Sequence, residues 1–180
     1  MRLFIAVEIP DDIKKYLGKI QGEFIDTHSN KIRSVNANNI HLTLKFLGEV
    51  QPNNVELIKE NLKKIKFENF SVYLDKMGVF PSENYIRVIW VELISKKINE
   101  LQEKIDKETR DFLKENKKFY SHITIARAKS IEDKPKLINE IKKIKFKKLD
   151  FKVNEFVLMK SELFPNGPKH KIIEKFELKN

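Results

Sequence analysis

The chain has no cysteine in 180 residues, which excludes a disulfide framework and any zinc or iron–sulfur centre held by thiolates. It also lacks a long apolar run. The stretch Leu3-Phe4-Ile5-Ala6-Val7 is cut off by Glu8, too short for the core of a secretion signal and far too short to span a bilayer. The expected compartment is therefore the cytosol (a cytoplasmic protein), with no membrane partner. Negative charge is in deficit: 26 Asp and Glu against 36 Lys and Arg leave a net charge of +10. An excess of this size attracts polyanions, nucleic acid first among them, although lysines spread along helix faces give the same balance on any solvated surface. Apolar residues make up 41% of the chain. That is more than a disordered chain carries and enough for the core of one compact domain.

What the sequence does contain is one short pattern twice: His41-Leu42-Thr43-Leu44 and His122-Ile123-Thr124-Ile125. In an extended strand, side chains two apart project from the same face. His41 then stands beside Thr43, and His122 beside Thr124, while the apolar residues between and after them face the core. Each tetrapeptide predicts a half-buried strand with an imidazole and a hydroxyl on its open side.

The surroundings repeat as well. Leu3 to Ile9 reads as a strand closed by Pro10, and Asp11 and Asp12 open a helix with the stripe Ile13, Tyr16, Leu17, Ile20 and Phe24. A polar loop from Asp26 to Asn39 leads to the first His-x-Thr strand, which ends at Gly48. A helix carrying Val55, Ile58, Leu62 and Ile65 follows, then one or two strands between Phe67 and Phe80, a turn over Pro81 to Asn84, and a strand from Ile86 to Leu93. The order then restarts: a helical stripe of Ile94, Ile98, Leu101, Ile105 and Phe112, a polar loop from Lys114 to Lys118, and the second His-x-Thr strand. A helix with Leu137, Ile138, Ile141 and Ile144 comes next, followed by strands over Leu149–Val153 and Phe156–Ser161, a turn from Phe164 to Pro168, and a last strand to Leu178. The histidines are offset by 122 − 41 = 81 residues and the Phe-Pro turns by 164 − 80 = 84. Two units are too few for a solenoid. They predict residues 1–180 as a single domain of two similar lobes about a pseudo-two-fold axis, with His41 and His122 facing each other across a shared groove.

Two imidazoles and two hydroxyls around one groove suit acid–base chemistry on a phosphate. Histidine titrates near neutrality, so one copy can take a proton from an attacking oxygen while the other protonates the leaving oxygen. The hydroxyls of Thr43 and Thr124 can donate to the non-bridging oxygens. A metal site is a poor alternative, since no histidine pair has helical i, i+4 spacing and neither motif holds an acidic residue. Strand parity puts Lys45 on the face of His41 and Thr43, within reach of a phosphate. It puts Arg127 on the opposite face from His122, unless the strand bulges. Phe46, Phe80, Trp90 and Tyr120 are expected in the core, with Phe80, at the turn beside the groove, the best placed of them for stacking on a base. His28 and His170 are read as packed or surface residues, with His170 placed where it could line the groove.

Together these stretches resemble the 2H phosphoesterase superfamily, and within it the RNA 2',3'-cyclic phosphodiesterases historically called 2'-5' RNA ligases. The resemblance runs through Arg2-Leu3-Phe4-Ile5-Ala6-Val7-Glu8-Ile9-Pro10, Asn39 to Glu49, Gly78-Val79-Phe80-Pro81, Arg87-Val88-Ile89-Trp90, His122 to Arg127, and Ser161-Glu162-Leu163. It implies an α+β fold, bilobal and duplicated, with antiparallel sheets lining a central cleft and helices outside. It further implies hydrolysis of a terminal 2',3'-cyclic phosphate on RNA to a 2'-phosphate without metal, ATP or other cofactor, alongside joining of ends through a 2'-5' linkage. By position it makes His41 and His122 the catalytic pair, with His122 activating water and His41 protonating the 3'-oxygen. Thr43 and Thr124 bind phosphate, and Arg127 contacts phosphate or nucleotide, with Lys45 and Phe80 as further substrate contacts. The expected partner is RNA with cyclic phosphate ends, tRNA-like fragments included, and the expected state is a monomer. At the last turn Asn166-Gly167-Pro168-Lys169-His170 departs from the family's Gly-Gly-Pro run followed by tyrosine. Alternatives are a sister activity on 2'-5' oligoadenylate or small cyclic nucleotide phosphates, and a non-catalytic protein that binds RNA ends.

Overall fold

In a computed structural model, residues 1–25, 32–112, 118–146, 149–165 and 167–179 are described. The elements run β1 (Arg2–Glu8), α1 (Asp11–Ile25), β2 (Ile32–Ser34), β3 (His41–Glu49), α2 (Val55–Lys63), β4 (Phe70–Ser82), β5 (Tyr85–Ile94), α3 (Lys96–Glu108), β6 (His122–Ala128), α4 (Lys134–Lys143), β7 (Asp150–Val153), β8 (Glu155–Phe164) and β9 (Gly167–Glu177). The strands join in the order β7-β4-β5-β6-β3-β1-β8-β9, with β2 added on β6. Each of these pairings is antiparallel. The fold is α+β, as the resemblance implied.

Helix stripes and alternate strand residues bury one face of this sheet. Leu3, Ile5 and Val7 of β1, Leu42 and Leu44 of β3, and Ile123 and Ile125 of β6 form one core with Leu17, Ile58, Leu62, Ile98, Leu101, Ile105 and Leu137 from the helices. Phe4 and Ala6 of β1 point the other way and form a smaller cluster with Val157 and Met159. The period-two pattern of β1 thus divides it between two faces. Both are covered.

Several elements fall differently from their sequence reading. Ile94 ends β5 and is exposed, because Ser95 stands at the N-terminal cap position and α3 begins only at Lys96. The polar segment before His41 holds β2 and a single 3-10 turn over Ala37–Asn39, capped by the Asn36 side chain. The two strands allowed between Phe67 and Phe80 are one, β4, which runs on through Pro81 and Ser82. His28 and most of the Lys114–Lys118 loop lie outside the described residues. Among the described residues no helix is long and apolar enough to cross a membrane.

Candidate active site

At the middle of the sheet β3 meets β6 through one antiparallel register pair, Leu42 with Ile123. These two residues follow the two histidines. Continued one residue each way, the register sets His41 alongside Thr124 and Thr43 alongside His122. Opposed residues in an antiparallel pair share a face and diagonal neighbours lie about 7–8 Å apart. So the histidines occupy one diagonal of a small rectangle and the threonines the other. Leu42, Leu44, Ile123 and Ile125 are buried beneath.

Each imidazole is fixed by the same local bond. His41 Nδ1 lies 2.8 Å from the carbonyl of Asn39, and His122 Nδ1 lies 2.7 Å from the carbonyl of Tyr120. A carbonyl only accepts, so each Nδ1 donates its proton and each Nε2 is left free for chemistry. Aromatic rings hold the imidazoles from the sides. His41 packs against Phe4 at 4.9 Å and against His170 at 5.1 Å between ring centroids. His122 meets Phe80 edge-on at 5.1 Å, with Trp90 and Tyr120 behind. Gly78 makes room for Trp90, whose ring occupies the space a Cβ would need.

Beyond the threonines, both strands carry the same irregularity. The β1–β3 register passes from Ala6–Thr43 to Ile5–Lys45 and leaves Leu44 as an extra residue. The β5–β6 register passes from Trp90–Thr124 to Ile89–Ala126 and leaves Ile125 extra. One extra residue reverses the facing of everything after it. This turns Arg127 onto the histidine face, where its charge reaches His41.

The same inversion overturns the sequence-based placement of Lys45. Lys45 does not share the face of His41 and Thr43: it is 1% exposed and its ammonium bonds the carboxylate of Asp106 on α3 at 2.6 Å. Phe46, expected in the core, takes the place on the histidine face, 55% exposed and paired in register with Phe4. Trp90 is buried as expected, whereas Tyr120 is 37% exposed and donates its hydroxyl to Glu92 at 2.8 Å. His170, expected only where it could line the groove, packs directly on His41. It reaches His41 because β9 pairs Ser161 with His170 and Asn39 donates to the carbonyl of Pro168.

Burial sets the electrostatics. Removal from water, then the charge of His170, pushes His41 down to about 4, with Arg127 and His122 adding to the fall and the Asn39 carbonyl opposing it. Burial also holds His122 below its ordinary value, against the pull of the Tyr120 carbonyl, and lowers His170. Burial and the bond to Glu92 raise Tyr120 to about 12, so its phenol stays neutral. Near pH 7 the imidazoles rest neutral in a setting that welcomes an anion. Among the described residues no group of three His, Cys, Asp or Glu side chains is disposed to hold a metal ion.

Residues 7–90 and 91–170 each match the family model described as LigT like phosphoesterase. The chain is 36% identical over 181 residues to the RNA 2',3'-cyclic phosphodiesterase of Methanocaldococcus jannaschii, spanning 98% of this chain and 100% of that protein. It is 32% identical over 181 residues to the protein of the same name from Thermotoga maritima, spanning 96% and 93%. A crystal structure from Thermus thermophilus shares the fold with a TM-score of 0.87, 28% identity, and coverage of 99% and 98%.

Proposed function

Because the chain belongs to the LigT-like phosphoesterase family, we propose that it opens the terminal 2',3'-cyclic phosphate of an RNA strand to a 2'-phosphate, with His41 and His122 as the acid–base pair. The names of its relatives support the substrate. The observation that carries the mechanism is the matched pair of Nδ1–carbonyl bonds, which leaves two free Nε2 atoms on one face across the β3–β6 seam.

In this reaction Nε2 of His122 takes a proton from water as the water oxygen bonds to phosphorus. The bond from phosphorus to the 3'-oxygen breaks in line, and Nε2 of His41, protonated, gives its proton to that oxygen. Thr43, Thr124 and Arg127 donate to the non-bridging oxygens, so the charge is held without a metal. Phe80 steadies the ring of His122, and a base can stack on its free edge or on Phe46. If a 5'-hydroxyl replaces the water, the same steps join two strands through a 2'-5' linkage. The two halves act as similar lobes, each supplying one motif, so a monomer suffices, and the protein is expected to work in the cytosol.

The test is incubation of the protein with an RNA ending in 2',3'-cyclic phosphate, mapping the phosphate position in the product. Wild type yields the 2'-phosphate, while His41→Ala and His122→Ala each lose about 10²–10⁴-fold in kcat and keep most of their RNA affinity. Full turnover by either variant refutes the assignment.

A further inference from the structure

Strand β2 is only three residues long, yet it is securely held. It pairs with β6 as Ile32–Ala128, Arg33–Arg127 and Ser34–Ala126. The amide of Gln21, a buried polar side chain on α1, donates to the carbonyls of Val35 at 3.0 Å and Ile125 at 2.7 Å, clamping the two strands together. Ile32 and Ala128 are buried and Arg33 and Arg127 are exposed. Arg33 therefore stands beside Arg127 on the face that carries the histidines, since opposed residues of an antiparallel pair share a face. Among the described residues neither guanidinium has an ion-pair partner.

Two like charges set opposite each other in a sheet oppose folding slightly, and an anion between or beyond them reverses the sign. The two arginines are not equivalent. Arg127 acts on His41 and so belongs to the reacting phosphate. Arg33 faces it from β2, which pairs with β6 on the same side as β3, about 5 Å away between strands. A second guanidinium thus stands next to the first and is available to a neighbouring phosphate.

Resting on the cyclic phosphodiesterase reading above, we propose that Arg33 binds the phosphodiester one nucleotide upstream of the terminal cyclic phosphate. The site then selects an RNA chain over a lone cyclic nucleotide. The planar guanidinium fork matches two phosphate oxygens at once, and Gln21 keeps the short strand from moving away.

The experiment compares wild type, Arg33→Ala and Arg33→Lys on two substrates: a short RNA ending in 2',3'-cyclic phosphate, and 2',3'-cyclic AMP, which has no upstream phosphate. The readout is the ratio of kcat/KM for chain over mononucleotide, which is insensitive to any loss of folded protein. In Arg33→Ala this ratio falls about tenfold, the loss expected for one charge-assisted hydrogen bond in partly solvated surroundings. Arg33→Lys restores part of it. The salt dependence of kcat/KM on the chain weakens by about 0.7 in log–log slope, one phosphate contact on a single strand. A wild type that opens both substrates, with a ratio unchanged within threefold in Arg33→Ala, overturns this inference and leaves the activity standing. A wild type that opens neither removes the activity and this inference with it.

Discussion

Lys45 offers a sharp separation between binding and structure, because parity along β3 and the observed bulge assign it opposite duties. Its side chain is fully buried and its ammonium has one strong partner, the Asp106 carboxylate at 2.6 Å, plus the Asp106 carbonyl at the long distance of 3.5 Å. Removing one partner of a buried pair costs about 3–5 kcal/mol, since the other charge is stranded. Asp106 is 38% exposed, so water recovers part of that loss, and for Asp106→Ala about 2–3 kcal/mol is expected. In a chain of this size each kcal/mol moves Tm by about 2–4 °C, so the variant melts roughly 4–12 °C early. Lys45→Met keeps the volume and leaves behind only the carboxylate at the rim, at a cost of about 1 kcal/mol. The double variant regains much of what Asp106→Ala loses, a coupling that a double-mutant cycle measures directly. Thermal and urea melts followed by circular dichroism give the stabilities, and turnover of cyclic-phosphate RNA gives the activity. Lys45→Met should retain kcat and KM within a few-fold. A Lys45→Met protein that melts normally but loses a hundredfold in kcat/KM would return Lys45 to the substrate site and refute the bulge-based argument.

Other perturbations test the electrostatics and the packing around the histidines. Both imidazoles are held below the ordinary histidine value, so the bell-shaped profile of kcat/KM should be centred below pH 6.5; because a bound phosphate anion favours the protonated forms, the profile of kcat should lie at higher pH, and coincident profiles would contradict this. His41, at about 4 in the folded chain and near 6.5 unfolded, takes up its proton first in the unfolded state; its contribution is intact above pH 6.5 and lost on acidification to pH 4, about 3 kcal/mol that His41→Phe should largely abolish in urea melts. Gly78→Ala would drive a methyl into the Trp90 ring, costing about 1–3 kcal/mol and lowering kcat by tilting the aromatic support of His122; an unchanged Tm would count against that packing. Activity should survive a chelator, as charge is assigned to hydroxyls and arginine.

Much of this was legible because the governing patterns are local. The alternation His-apolar-Thr-apolar fixes which face of β3 and β6 is open. The central stripe residues of α2 (Val55, Ile58, Leu62), α3 (Ile98, Leu101, Ile105) and α4 (Leu137, Ile138, Ile141) are buried as their spacing predicts, whereas Ile65, Ile94, Phe112 and Ile144 fall beyond the helix ends. What failed was extrapolation past Thr43 and Thr124. Parity counts residues, and one extra residue at Leu44 or Ile125 inverts it, exchanging Lys45 for Phe46 on one strand and bringing in Arg127 on the other. Nothing in Leu44-Lys45 or Ile125-Ala126 marks a bulge: neither holds the glycine that often signals one. The common offset of 81 does put Phe46 level with Arg127, a sign that whatever turned the arginine inward would also turn the phenylalanine. His170 was out of reach for another reason. Its approach to His41 depends on the β8–β9 register, a pairing set by tertiary contacts and not by spacing to either motif.

The same comparison of halves bears on how two like residues could divide one reaction. A perfectly symmetrical pair would carry equal proton affinities and have no reason to donate from one side and accept on the other. The backbone around the pair is nearly matched, down to the Nδ1–carbonyl bonds from Asn39 and Tyr120. The difference lies in the surroundings. Phe4 packs against His41 where Phe80 and Trp90 pack against His122, and Ala6 opposes Thr43 where Trp90 opposes Thr124. Among the described residues β9 brings His170 to His41 alone. Arg127 acts on His41 across the seam, while its counterpart on β3 is the uncharged Phe46. His41 is therefore the more deeply perturbed imidazole, and the entering phosphate changes it most. In the proposed reaction this makes protonation of His41 depend on substrate: empty, the site holds it neutral, and the anion that needs a general acid is the agent that charges it. Arg127→Ala should raise His41 in the free protein and narrow the gap between the kcat and kcat/KM profiles, whereas a gap of unchanged width would show that Arg127 does not set that dependence.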